Sequence, residues 1–130
     1  MTRSTVYRVL PIVGIVVALA GVAVAEQSAA GQWRVEFATP LGQRGVNMTI
    51  IQAGAKLTGH VVDEYGEYDL KGRVANGHIT VAWSVPENGK MLEITMTGKL
   101  EGNVINGTAK LGDVGEGACS ARRTGDAGSL

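Results

Sequence analysis

Apolar and polar residues alternate with a period of two along this chain from Gly31 onward. Successive side chains of a β-strand point to opposite faces, so this alternation predicts strands with one buried and one solvated face. Eight such segments can be recognised between Gly31 and Arg123. No window there has the 3.6-residue period of an amphipathic helix. The body of the chain is therefore predicted to be all-β.

Short turn sequences separate these segments. Asn76-Gly77 and Asn88-Gly89 each lie between two alternating segments. Asn-Gly favours the type I′ turn of a two-residue hairpin, because both central residues need a positive φ. The other connections are also short and contain glycine. We therefore expect an up-and-down meander of eight antiparallel strands.

Four glycines fall on the inward face of the predicted strands, namely Gly59, Gly72, Gly98 and Gly107. A glycine that faces inward lets a strand bend sharply and lets a large side chain pack over the backbone. Bends repeated in successive strands curl a sheet, and closure removes the exposed edges that promote aggregation. The sequence therefore favours a closed eight-stranded barrel over an open sandwich.

The first 25 residues have the three parts of a secretory signal peptide. Arg3 and Arg8 give a basic start, an apolar run extends from Val9 to Ala25, and the run ends in a small-x-small site before Glu26. We expect a helical signal that is cleaved after Ala25 and a secreted or periplasmic protein. The alternative is an uncleaved membrane anchor, since the run is only just long enough to span a bilayer.

Cleavage at this site divides the chain into four predicted parts. They are a signal peptide (residues 1–25), a flexible linker (26–30), the barrel domain (31–123) and a disordered tail (124–130). The mature chain of about 105 residues suits one domain and has a net charge of about −2, which makes nucleic acid an improbable partner. Cys119 is the only cysteine, so no intrachain disulfide can form.

The first and last predicted strands each carry a recognisable motif. Gly31-Gln32-Trp33 opens the first strand, and Arg122-Arg123 ends the last. This combination resembles the calycin superfamily of lipocalins, fatty-acid-binding proteins and avidins, in which a basic residue of the last strand packs over the tryptophan of G-x-W. The resemblance implies that Trp33 and Arg123 close the barrel through a cation–π contact.

The middle of the chain is most similar to the avidins. Lys56-Leu57-Thr58-Gly59, Thr80-Val81-Ala82-Trp83 and Thr97-Gly98-Lys99-Leu100 follow the order of similar avidin stretches. The resemblance concerns the scaffold and not the ligand, because apolar residues or a cysteine replace the family's biotin-binding residues. These replacements are Val35, Val61, Leu92, Ile94, Met96, Ala109 and Cys119. The chain also resembles small barrel domains of exported bacterial proteins, a resemblance that supplies no ligand.

The predicted interior offers little chemistry. Catalysis needs a positioned acid, base, nucleophile or metal, and the inward set is apolar apart from Cys119. His60 and His78 are predicted on the outer face, without a third metal ligand at a recognisable spacing. We therefore expect no metal and no cofactor, and the pattern leans away from an enzyme.

We interpret the chain as a non-catalytic binding module for a small, mostly apolar ligand. An eight-stranded barrel can be filled by its own side chains or can hold one small ligand, and the sequence leaves this choice open. The alternatives are a structural or protein-interaction domain with a filled core and, third, a small barrel enzyme acting on an apolar substrate. Because the outward residues are polar, we expect a monomer or a weak homodimer. The candidate ligand contacts are Trp33, Phe37, Met48, Tyr68, Trp83 and Met96, with Tyr68 in a loop region that covers one mouth.

Overall fold

The structure is a computed structural model that describes residues 28–40 and 42–126. It confirms the all-β prediction: eight antiparallel strands in chain order form a closed barrel. The strands are β1 (Gly31–Thr39), β2 (Gly42–Ala53), β3 (Lys56–Asp63), β4 (Gly66–Ala75), β5 (His78–Glu87), β6 (Lys90–Glu101), β7 (Val104–Leu111) and β8 (Gly115–Gly125). The predicted signal peptide, residues 26–27 and residues 127–130 lie outside the described residues. Within the described residues, no helix is long and apolar enough to span a membrane.

Each strand pairs with its neighbours in sequence, and β1 also pairs with β8. The β1–β8 ladder runs from Gln32, opposite Gly125, to Phe37, opposite Cys119. Two of the connecting turns have the predicted chemistry, because Asn76-Gly77 and Asn88-Gly89 each have positive φ at both residues. The alternation along the strands therefore yields the predicted meander, and the first and last strands close it.

The inward glycines are places where neighbouring strands cross at close range. A Cβ atom at Gly59 would overlap the backbone of Thr49, and one at Gly107 would overlap the carbonyl of Thr97. Gly72 and Gly98 meet the backbone of adjacent strands in the same way. The space that each glycine leaves is taken by the next strand. These glycines therefore bend the sheet without adding volume to the barrel interior.

The interior is built from the inward side chains of all eight strands. Among the described residues, no polar or charged side chain is buried. The largest fully buried side chains are Trp33, Met48, Ile50, Leu57, Leu70, Ile79, Met96, Leu100, Ile105, Val35, Val61 and Val81. A core of this kind is stabilised by removing apolar area from water, at about 25 cal/mol per Å².

One end of the barrel is closed by the residues around Trp33. The indole NH of Trp33 donates a hydrogen bond to the carbonyl of Ala29, at 3.0 Å, and Ala29 is itself fully buried. The Arg123 guanidinium lies over the indole, 4.4 Å from the ring centroid. This is the contact between the first and last strands that the calycin resemblance implies.

Arg123 also ties three chain segments together. Its guanidinium donates hydrogen bonds to the carbonyls of Ser28 and Ala30, before β1, and to the carbonyl of Gly102 in the β6–β7 turn. The Asn103 side chain accepts another from Nε, at 2.8 Å. Residues 28–30, in the predicted linker, are therefore packed against this end of the barrel.

Replacing Arg123 with methionine should therefore destabilise the barrel. Arg123→Met keeps an apolar stem but loses the cation–π contact and the charged hydrogen bonds, so we expect the free energy of unfolding to fall by about 2–4 kcal/mol. Denaturant unfolding measures the change. Arg122→Met is the matched control, because Arg122 is exposed on the same strand, and it should change stability by less than about 0.5 kcal/mol. Equal losses in the two variants would contradict this role for Arg123.

Candidate functional site

The two ends of the barrel differ in what covers them. The closed end, just described, carries Trp33, Arg123 and the β2–β3, β4–β5 and β6–β7 turns. The β1–β2, β3–β4, β5–β6 and β7–β8 connections surround the other end, which we call the open end. A cavity of about 750 Å³ lies at the open end and continues over the outer face of β1 and β2 beside Arg34 and Asn47. Ligand sites of soluble proteins have volumes of roughly 300–1,000 Å³, so this open-end cavity is the candidate site.

An aromatic pair lies at the base of the open-end cavity. Phe37 on β1 and Trp83 on β5 both line it, and each is 3% exposed. Because β1 and β5 lie on opposite sides of an eight-stranded barrel, their rings meet across the interior. The centroids are 6.5 Å apart and the planes make an angle of 72°, an edge-to-face contact. This pair is the floor of the cavity.

Apolar side chains form the lower wall above this floor. They come from β2, β5, β6 and β7 and are Val46, Val85, Leu92, Ile94 and Leu111. Trp33, Met48 and Met96 are almost fully buried and do not line the cavity. The interior is thus filled in its closed half and empty in its open half, which answers the question that the sequence left open.

Polar side chains line the upper part of the same cavity. They include Gln43, Arg44, Asp63, Glu64, Glu87 and Asn88. The register places Arg44 opposite Phe37, so it shares the inward face of β2 with Val46. The side chain of Asp63 accepts hydrogen bonds from the amides of Tyr65 and Gly66 at the β3–β4 turn. The cavity therefore combines an apolar base with a polar rim.

Tyr68 lies within β4, so its predicted place in a loop over one mouth of the barrel is wrong, and it does not line the open-end cavity. It is half-buried, packs against the core, and lines two smaller recesses in the barrel wall. Partial loss of water around the phenol, followed by the nearby Asp63 carboxylate, raises the pKa of Tyr68. The phenol is therefore a neutral hydrogen-bond donor at pH 7.

The barrel wall is incomplete near Tyr68. The ladder between β4 and β5 runs only from Ala75, opposite His78, to Lys71, opposite Ala82. Toward the open end, Gly66–Leu70 of β4 pair only with β3, and Trp83–Glu87 of β5 pair only with β6. We call this stretch the β4–β5 gap. Along this stretch, side chains such as Tyr68 and Trp83 close the side of the barrel in place of backbone pairing.

Cys119 is a poor nucleophile in this setting. It is buried on β8, opposite Phe37 of β1. Burial raises the pKa of the Cys119 thiol to about 11, so at pH 7 very little reactive thiolate is present. His60 is instead on the outer face, where its Nδ1 lies 3.7 Å from the Glu67 carboxylate. Among the described residues, no three His, Cys, Asp or Glu side chains converge on a metal-sized site.

The structure divides the six candidate ligand contacts into three groups. Phe37 and Trp83 form the cavity floor, Trp33, Met48 and Met96 fill the barrel beneath them, and Tyr68 lines the side recesses. From the sequence we did not predict the other wall residues as site residues, although most of them were placed on the inward face of a strand. We also missed Arg44, which the alternation beginning at Val46 would have placed inward had it been followed back by two residues.

Comparison with models of known protein families gives no match, and comparison with the sequences of curated proteins gives none either. The function proposed below is therefore inferred from the geometry of the open-end cavity.

The different surroundings of the two tryptophans predict different costs of truncation. Trp33 is packed on all sides, so Trp33→Ala should lower the free energy of unfolding by about 3–5 kcal/mol. Trp83 already borders a cavity, so its removal leaves fewer packing contacts to lose. We expect Trp83→Ala to cost at least about 1 kcal/mol less than Trp33→Ala. Chemical denaturation of the two variants measures the difference, and equal costs would contradict the cavity at Trp83.

Proposed function

We propose that this protein is a non-catalytic binding module for a small, mostly apolar ligand held in the open-end cavity. The observation that carries the proposal is the division of the barrel at Phe37 and Trp83. Side chains fill the closed half, whereas the open half keeps a cavity with an apolar base. Burial of apolar ligand surface against such a base is favourable at about 25 cal/mol per Å².

The chemistry of the cavity favours binding over catalysis. Its apolar base contains no titratable group, and the carboxylates Asp63, Glu64 and Glu87 are all at the rim. The nearby Cys119 thiol has a pKa of about 11. A ligand in this cavity would meet apolar contacts below and hydrogen-bonding groups only above, which orients it without activating it.

A second candidate function is an interaction domain that acts through its loops. Three side chains at the open end are apolar and exposed: Tyr65 at 77%, Met91 at 67% and Val114 at 55%. Exposed apolar groups at one end of a barrel favour a protein partner there. This candidate uses the same end of the molecule but leaves the cavity empty.

We also propose that the protein is exported and is related to the calycins. Export is supported by the signal-like sequence of residues 1–25. The calycin relationship is supported by the eight-stranded barrel and by the position of Arg123 over Trp33.

A bulky residue at the cavity wall should abolish ligand binding without unfolding the barrel. Val85 is a half-buried cavity residue, and Val85→Trp fills space that a ligand would occupy. We expect the affinity for an apolar fluorescent probe such as 1,6-diphenylhexatriene to fall by at least about tenfold, a change of about 1.4 kcal/mol. Probe fluorescence during titration gives the dissociation constants.

Val104→Trp is the matched control, because Val104 is exposed at the closed end and should not affect the probe. Native mass spectrometry of the mature protein from its own host should in addition show a bound small molecule. The proposal fails if the unmodified protein binds no apolar probe, and the interaction-domain candidate would then be preferred.

A further inference from the structure

The β4–β5 gap opens onto a separate recess on the outer face of the barrel. This side recess has a volume of about 410 Å³. Tyr68 and Trp83, whose positions alternate inward, lie at its base, and the residues around them point outward. The outward residues that line it are Asp69, Lys71, Ala82, Ser84 and Glu93. The recess therefore lies directly over the gap.

The side recess and the open-end cavity share a wall. Trp83 lines both of them. Between β4 and β5 no backbone ladder separates the two spaces, because pairing stops at Lys71 and Ala82. Trp83 is therefore the side chain that separates them, and Tyr68 lies beside it in the side recess. Side chains change rotamer far more readily than a paired strand separates.

The two spaces have opposite chemistry. The base of the open-end cavity is apolar, with Phe37, Ile94 and Leu111 among its residues. The side recess offers a serine hydroxyl, two carboxylates and one ammonium group. The edges of the gap add backbone N–H and C=O groups, since Gly66–Leu70 and Trp83–Glu87 have no partner strand across it. Such groups are strong hydrogen-bonding sites.

We propose that the side recess is a polar subsite for one end of an elongated ligand. The apolar body of that ligand lies in the open-end cavity against Phe37 and Trp83. Its uncharged hydrogen-bonding end, such as an alcohol or an amide, passes through the β4–β5 gap. There it meets Ser84 and the unpaired backbone. The two carboxylates of Asp69 and Glu93 outnumber the Lys71 ammonium group, which disfavours an anion, whereas the hydroxyl and backbone groups can both donate to and accept from a neutral polar group.

This inference rests on the proposed binding function and adds the class of ligand. It predicts that closing the gap weakens binding of a molecule with a polar end and spares a wholly apolar one. Two probes test the difference: 1,6-diphenylhexatriene, which is apolar throughout, and 1-decanol, which has one hydroxyl. The affinity for 1-decanol is measured by its displacement of the fluorescent probe.

Ser84→Trp fills the side recess from the outer face of β5. We expect the affinity for 1-decanol to fall by at least about tenfold, with the affinity for diphenylhexatriene changed less than about twofold. Thr80→Trp is the matched control, because Thr80 is exposed on the same face of β5, opposite Arg73, where the strands are paired. It should leave both affinities unchanged.

A disulfide across the gap provides a reversible test that does not depend on a bulky side chain. Asp69 and Ser84 are the first outward-facing residues beyond the end of the β4–β5 ladder, and a disulfide between cysteines at these positions would draw the two strands together across the gap. In a Cys119→Ala background, oxidised Asp69→Cys/Ser84→Cys should lose affinity for 1-decanol, and reduction should restore it. Arg73→Cys/Thr80→Cys, a bridge within the paired stretch, should have no such effect.

The outcomes separate the two proposals. If the unmodified protein binds neither probe, the binding function fails and the subsite fails with it. If both probes bind but neither gap variant distinguishes them, the subsite is wrong and the binding function stands. Selective loss of 1-decanol binding in the gap variants supports both.

Discussion

The edge-to-face contact between Phe37 and Trp83 determines how the interior of this barrel is divided. The two rings come from β1 and β5, on opposite sides of the barrel, and meet with their centroids 6.5 Å apart. Beneath them, the inward side chains, Trp33, Met48 and Met96 among them, are almost fully buried. Above them, the inward positions carry medium-sized aliphatic residues that line the walls and do not meet across the middle. The candidate function depends on this boundary, because a barrel filled along its whole length would have no room for a ligand.

The closed half provides the rigidity that an open half requires. Arg123 covers Trp33 and binds backbone carbonyls on both sides of it, so the first and last strands are fixed to each other where the chain enters the barrel. The inward glycines allow neighbouring strands to cross closely and bend the sheet. An empty cavity loses dispersion contacts along its lining. The packing and hydrogen bonds of the closed half offset that loss. The β4–β5 gap, where backbone pairing is missing, lies toward the open end.

The fold followed from the sequence because its determinants are local. Alternation with a period of two, Asn-Gly turns at Asn76 and Asn88, and inward glycines each act over a few residues, and the structure confirms the barrel they predict. The site was less accessible, because it depends on which inward residues meet across the barrel. Trp33 and Trp83 are equivalent in a periodic pattern, yet one fills the closed end and the other borders a cavity. The β4–β5 gap depends on where a ladder ends, which the alternation along a single strand does not show.

Methyl NMR of the protein under xenon pressure tests the division of the barrel most directly, because xenon enters empty apolar cavities and leaves filled cores unoccupied. We expect the methyl resonances of Val46, Ile94 and Leu111 to shift as xenon is added. Those of the closed half, such as Leu57, Ile79 and Ile105, should remain unchanged. Shifts of equal size in both halves, or none in either, would contradict a barrel that is filled at one end and empty at the other.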